Sequence, residues 1–150
     1  MASNDIERAL SDSAAEVLET MFFTTLLEDG EPVADSAGQW ISAQLSFHGN
    51  PPGHFGIRIP LATGRRLAAN FLGLEEQTLT GQQINEVTSE LANMLSGSVL
   101  SRLEKGSSFV LSQPEVESSE AASPPGVTAQ QTFQLQEGPL AIWLELERAA

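Results

Sequence analysis

The sequence predicts an α+β fold in which helices form a layer on a mainly antiparallel sheet. Some segments repeat apolar residues every three or four positions, as amphipathic helices do, whereas others alternate apolar and polar residues, as half-buried strands do. These segments follow the order helix, two strands, two helices, three strands, which favours helices grouped on one sheet. The 150 residues contain no internal repeat. A chain of this length forms one domain with a substantial core, so residues 1–150 are predicted to be a single domain.

The first helix is predicted over residues 4 to 26. Ser3 or Asn4 can cap its start, and the segment 29–32, Asp-Gly-Glu-Pro, breaks the pattern after it. Its apolar positions are spaced by three or four residues: Ile6, Leu10, Ala14, Val17 and Met21.

A β-hairpin follows. Residues 39 to 47 alternate between apolar and polar, and residues 49 to 53 contain the two glycines and two prolines of a turn. The inward positions of the two strands are Ile41, Ala43, Leu45, Phe47, Phe55, Ile57 and Ile59. His48 and His54 flank the turn. Zinc needs three or four ligands, however, and no third candidate ligand occurs at a sequence spacing typical of zinc sites. We therefore predict no metal site here.

The remaining elements are predicted by shorter signals. A helix begins at Thr63 or Gly64 and ends before Gly73, and Thr80 caps a third helix that continues to about Glu104. The later strands are predicted at 109–111, around Phe133 and Leu135, and at 140–146, and residues 112–130 are predicted to form a polar loop. Trp40 and Trp143 fall on the outward side of their strands, which indicates a second packing layer or a subunit interface.

The charge of the chain excludes several classes of partner. With a net charge of −13 and only seven basic residues, the chain is not expected to bind nucleic acid, because such binding depends on lysine and arginine neutralising phosphates. The same argument excludes an anionic membrane surface. There is no cysteine, and we see neither a secretory signal nor an apolar run long enough to span a bilayer. A cytoplasmic location is expected.

The third helix carries an unusual polar stripe. Glu86, Glu90, Asn93 and Gly97 follow one another at spacings of four, three and four, so they share one face. The opposite face is apolar: Ile84, Val87, Leu91, Met94 and Leu95. Asparagine and glycine are unfavourable inside a helix by roughly 0.5 and 1 kcal/mol relative to alanine. A face that served only solubility would not need them, so we interpret the stripe as a docking face.

The stripe also carries a family resemblance. The pattern Glu90-x-x-Asn93-Met94-x-x-Gly97 resembles the signature helix of the CheC/CheX family of chemotaxis phosphatases. Residues 15–23 resemble the first helix of that family, and residues 56–60 with the helix 66–72 resemble its passage from sheet to helix. The chain has one copy of the motif. In this it resembles the CheX-like branch of the family, since the CheC branch carries two such units.

The resemblance implies hydrolysis of the aspartyl phosphate on a phosphorylated CheY-like receiver domain. It implies that Glu90 bridges to a receiver lysine and that Asn93 holds the attacking water, with Glu86 and Gly97 on the partner-binding face. The receiver would supply Mg²⁺, so no cofactor of the chain's own is expected. The resemblance further implies a homodimer.

Two other interpretations remain open at the level of sequence. One is a non-catalytic CheX-like module that binds a signalling partner. The other is a small acidic secretion-chaperone-like dimer, which shares the size and charge but makes no demand for Asn93.

Overall fold

The computed structural model describes residues 3–24, 27, 39–49, 52–103, 109–119 and 129–147. In these residues the helices are α1 (Ser3–Met21), α2 (Leu61–Leu72) and α3 (Gly81–Leu103), with a short 3-10 helix at Glu76–Thr78. The strands are β1 (Trp40–His48), β2 (Gly53–Pro60), β3 (Val110–Leu111), β4 (Glu115–Ser119), β5 (Ala129–Leu135) and β6 (Gly138–Leu146).

The strands form one six-stranded sheet in the order β3-β1-β2-β6-β5, with β4 also paired to β1. Each of these pairings is antiparallel. The inward side chains of β1, β2 and β6 pack with the apolar faces of the helices in one core. This arrangement confirms the predicted α+β fold of helices on a mainly antiparallel sheet. In the part of the chain that the structure describes, none of the helices combines the length and the apolar character that a membrane span requires.

The helix ends follow from local backbone chemistry. Helix α1 ends at Met21, five residues before the predicted end, because Phe23 adopts a left-handed conformation with φ 56°. The N–H groups of Phe22 and Thr24 both donate to the Leu18 carbonyl, over 3.1 and 3.2 Å, and so close the end of the helix. Helix α2 begins at Leu61, earlier than predicted, and it ends at Leu72, as predicted, because Gly73 adopts a left-handed conformation with φ 68°.

The predicted polar loop over residues 112–130 is wrong in part. Residues Glu115–Ser119 form β4 on the edge of β1, and β5 already begins at Ala129. Apolar content did not reveal β4, because only Val116 packs against the core. This segment is ordered by its backbone pairing with β1. Together with β3, it covers an edge of β1 that would otherwise be unpaired.

The outward face of the sheet has its own packed centre. Trp40 and Trp143 lie on the face opposite the helices, yet they are only 8% and 5% exposed. The Arg58 guanidinium lies 4.2 Å from the centre of the Trp40 ring, and the Trp143 indole covers Gly56, its register partner. Of the two predicted explanations, the structure favours a second packing layer within the chain.

Candidate functional site

Helix α3 begins with a reciprocal capping box. The N–H of Gln83 donates to the Thr80 hydroxyl over 3.1 Å, and the N–H of Thr80 donates to the Gln83 side-chain oxygen over 2.9 Å. This confirms the predicted cap at Thr80. The start of the helix, and hence the angular position of every later side chain, is therefore fixed by local sequence.

The buried side of α3 anchors it against the sheet and the other helices. Its buried residues are Ile84, Val87, Thr88, Leu91, Ala92, Leu95, Ser96, Val99 and Leu100. The two buried hydroxyls, on Thr88 and Ser96, donate to backbone carbonyls of the preceding turn. Ser98 donates to Ser13 over 2.9 Å, and Arg102 pairs with Glu16, so α1 holds the last turns of α3 as well.

The opposite side of α3 presents the polar stripe, which we define as Glu86, Glu90, Asn93 and Gly97. Each of these residues is exposed. Val87 and Leu91 are buried as predicted, whereas Met94 is only partly buried. At 1.5 Å rise per residue the stripe spans about 16 Å. Gln82 extends it by one turn, since it lies four residues before Glu86 and its amide donates to the Glu86 carboxylate over 3.0 Å. Sequence reasoning missed Gln82, although the i, i+4 spacing could have identified it.

The two central side chains of the stripe are unengaged. Among the described residues, neither the Glu90 carboxylate nor the Asn93 carboxamide makes a side-chain hydrogen bond or an ion pair. A Cβ atom added to Gly97 would meet no atom within 4 Å. The fold of the chain therefore does not require glycine at this exposed position, and a surface from outside could approach the backbone there.

This arrangement offers specific chemistry to a second molecule. A carboxylate can pair with a cation, and a carboxamide has both an acceptor oxygen and a donor NH₂ group with which to hold a water molecule. Because both side chains project from one packed helix, the positions of their Cα atoms are set before any partner binds. Such a site can position groups on a partner.

The chain also matches the model of a known protein family. The family model described as "Chemotaxis phosphatase CheX" matches residues 41–135. The chain belongs to the CheX family. This confirms the resemblance read from the signature helix, and it argues against the secretion-chaperone interpretation. A comparison with curated proteins gave no match.

Solved CheX structures share the whole architecture. A CheX protein from Vibrio vulnificus is similar at 23% identity with a TM-score of 0.78, over 98% of this chain and 99% of that chain. A CheX protein from Desulfovibrio desulfuricans is similar at 19% identity and TM-score 0.73, over 95% and 99%. The Borrelia burgdorferi CheX in a CheX–CheY–BeF3–Mg²⁺ complex is similar at 18% identity and TM-score 0.70, over 95% and 98%. At these identities the likeness establishes the CheX fold of the chain.

Proposed function

We propose that this CheX-family chain is a phosphatase that hydrolyses the aspartyl phosphate of a CheY-like receiver domain. The observation that carries the proposal is the exposure of Glu90 and Asn93, without partners among the described residues, on one rigidly packed helix. The CheX–CheY complex from Borrelia burgdorferi supports a receiver as the partner. We place the reaction in the cytoplasm with its receiver.

In this mechanism the chain contributes positioning. The phosphoryl group and Mg²⁺ belong to the receiver, and phosphoryl transfer asks the second protein mainly for orientation and charge placement. The Asn93 carbonyl oxygen accepts a hydrogen bond from the attacking water and orients it in line with the phosphorus. The chain needs no nucleophile and no metal of its own for this step.

Glu90 acts at the docking contact. Its carboxylate lies one helical turn before Asn93, so a receiver lysine that meets Glu90 brings the phosphoryl group toward the carboxamide. Glu86 extends the acidic surface, and Gly97 allows the receiver backbone to approach closely. The carboxylates, the carboxamide and the glycine therefore follow one another along α3 in an order that suits a receiver bound along the helix.

The direct test is the decay of a phosphorylated CheY-like receiver in Mg²⁺ buffer. We expect the purified chain to accelerate the loss of phosphate over the receiver's own rate. A receiver that binds while its decay rate stays unchanged would instead support the non-catalytic binding module.

Replacing Glu90 by alanine should weaken receiver binding and slow turnover at low receiver concentration. The loss of one charge-assisted contact at an interface should raise Kd by about tenfold. Added salt should partly reproduce this effect in the wild type, because it screens a contact at an interface rim. Binding by fluorescence anisotropy against ionic strength measures both effects.

The matched control for this variant is Glu7→Ala, which removes an exposed carboxylate from α1. It changes the net charge equally and should leave Kd nearly unchanged. Equal weakening by both variants would mean that the overall charge, and not a contact at Glu90, sets the affinity.

We further propose that the chain forms a homodimer. The tryptophans of the outward sheet face are already buried within one chain, so we expect a strand edge to supply the contact. Light scattering at micromolar concentration should return twice the 16.0 kDa chain mass. A mass near that of one chain would contradict the dimer.

A further inference from the structure

Three potential ligands meet at one end of the sheet, on the face opposite the helices. His54 on β2 and Glu145 on β6 are direct register partners, so their side chains lie side by side on one face. Glu147 follows Glu145 by two residues and therefore points to the same face. In the sequence, Glu145 and Glu147 lie 91 and 93 positions after His54. The pairing of β2 with β6 brings the three residues together.

The backbone beneath these side chains is well fixed. Leu146 pairs with Gly53, and the N–H of Glu147 donates to the Pro52 carbonyl over 2.8 Å, so the ladder continues past the last paired residue. An added side chain at Gly53 would collide with the Glu145 carbonyl, which shows how closely the two strands approach. The three side chains therefore project from a defined platform.

Their separations suit a shared cation. The His54 Nδ1 atom lies 3.4 Å from a Glu145 carboxylate oxygen, and one ligand atom from each of the three residues lies within 4.8 Å of the others. Tetrahedral ligands at about 2.1 Å from zinc are separated by about 3.4 Å. The pair His54–Glu145 already has that spacing, and the Glu147 side chain beside it is exposed.

The local charge also favours a cation. Glu145 and Glu147 place two carboxylates together, and within the described ranges no lysine or arginine forms an ion pair with either. Among the residues that the structure describes, the one ion pair at this cluster joins Glu145 to His54, which carries charge only when protonated. The whole chain has a net charge of −13, which raises the concentration of cations around it.

We propose that His54, Glu145 and Glu147 bind one divalent transition-metal ion, with zinc as the fitting probe. One imidazole nitrogen and two carboxylate oxygens form a mixed donor set that zinc accepts, with water completing the coordination. Mg²⁺ and Ca²⁺ prefer sets made entirely of oxygen atoms, so they should compete poorly. The bound ion links the ends of β2 and β6. It is separate from the polar stripe, which lies on the helical side of the sheet.

The test is isothermal titration of Zn²⁺ into the full chain after removal of metals with a chelator. We expect one saturable site per chain that a tenfold excess of Mg²⁺ does not displace. Zinc at about 100 times Kd should raise Tm by about 5–10 °C, since only the folded chain assembles the three ligands.

Variants assign the ligands. His54→Gln, Glu145→Gln and Glu147→Gln should each raise Kd by at least about tenfold, because even loss of a group that only supports a ligand has effects of that size. His48→Gln, which removes the other histidine, and Glu7→Gln, which removes an exposed carboxylate elsewhere, should leave Kd unchanged. Circular dichroism checks that each variant is folded.

Two results would overturn the proposal. The first is the absence of saturable Zn²⁺ binding to the wild type. The second is binding that survives His54→Gln or that His48→Gln removes. Receiver dephosphorylation is measured separately, because Zn²⁺ binding at the sheet does not depend on whether Asn93 positions water.

Discussion

Replacing Asn93 by alanine is expected to slow receiver dephosphorylation by about 100-fold or more while receiver binding persists. The change removes the carboxamide that orients the water, and lost positioning has effects of this size. Glu90 and the rest of the polar stripe keep their places, since the Asn93 side chain contacts no described residue through a hydrogen bond. Turnover at saturating phospho-receiver and Kd for a receiver with a phosphate analogue, measured side by side, separate the two effects.

The chain provides close controls for this variant. Asn85 is also an exposed asparagine on α3 but lies outside the polar stripe, so Asn85→Ala should leave turnover unchanged. Asn93→Gln keeps the carboxamide but moves it by one methylene. We expect this variant to restore little of the rate, because the carboxamide contributes to catalysis through its position. Both alanine variants should be at least as stable as the wild type, since alanine is the better helix former. An undiminished rate in Asn93→Ala would refute the proposed role of the amide.

The polar stripe could be predicted from sequence because every signal for it is local. The Thr80–Gln83 cap, the apolar period through Val87 and Leu91, and the spacing from Glu86 to Gly97 all lie within α3 or directly before it. A helix of known phase fixes which side chains share a face. The exception is Met94, which the same period places with the apolar residues but which packs only partly against the core.

Features that depend on strand pairing could not be predicted from the sequence. Strand β4 is ordered by the edge of β1 and contributes little apolar surface of its own. The neighbours of His54 lie in β6 or directly after it, so no spacing near the histidines in sequence could reveal a third ligand. The burial of Trp40 likewise depends on Arg58 from the adjacent strand. In each case the missing information is the register between distant segments.

The packing of Trp143 on Gly56 makes the outward sheet face sensitive to a single methyl group. Gly56 is fully paired between β1 and β6, opposite Gln44 on one side and Trp143 on the other. A Cβ atom at this position would overlap with the indole ring. The ring is 5% exposed, so it has little room in which to move away.

Gly56→Ala should therefore lower the free energy of unfolding by about 3 kcal/mol, the upper range for an overpacked site. In an unobstructed strand the same change would be favourable, because alanine loses less backbone entropy on folding than glycine. Gly81→Ala is the control, since a Cβ there meets nothing within 4 Å, and it should be neutral or slightly stabilising. Urea denaturation measures both variants.

The double variant Gly56→Ala with Trp143→Leu tests whether the indole is the cause. Removing the ring makes room for the methyl group, so the two changes together should be less destabilising than the sum of the single changes by at least about 1 kcal/mol. Strict additivity would show that Gly56 is constrained by something other than Trp143. If Gly56→Ala were as harmless as Gly81→Ala, the close contact between the ring and the strand would itself be refuted, and with it the argument that the second packing layer fixes the outward face of the sheet.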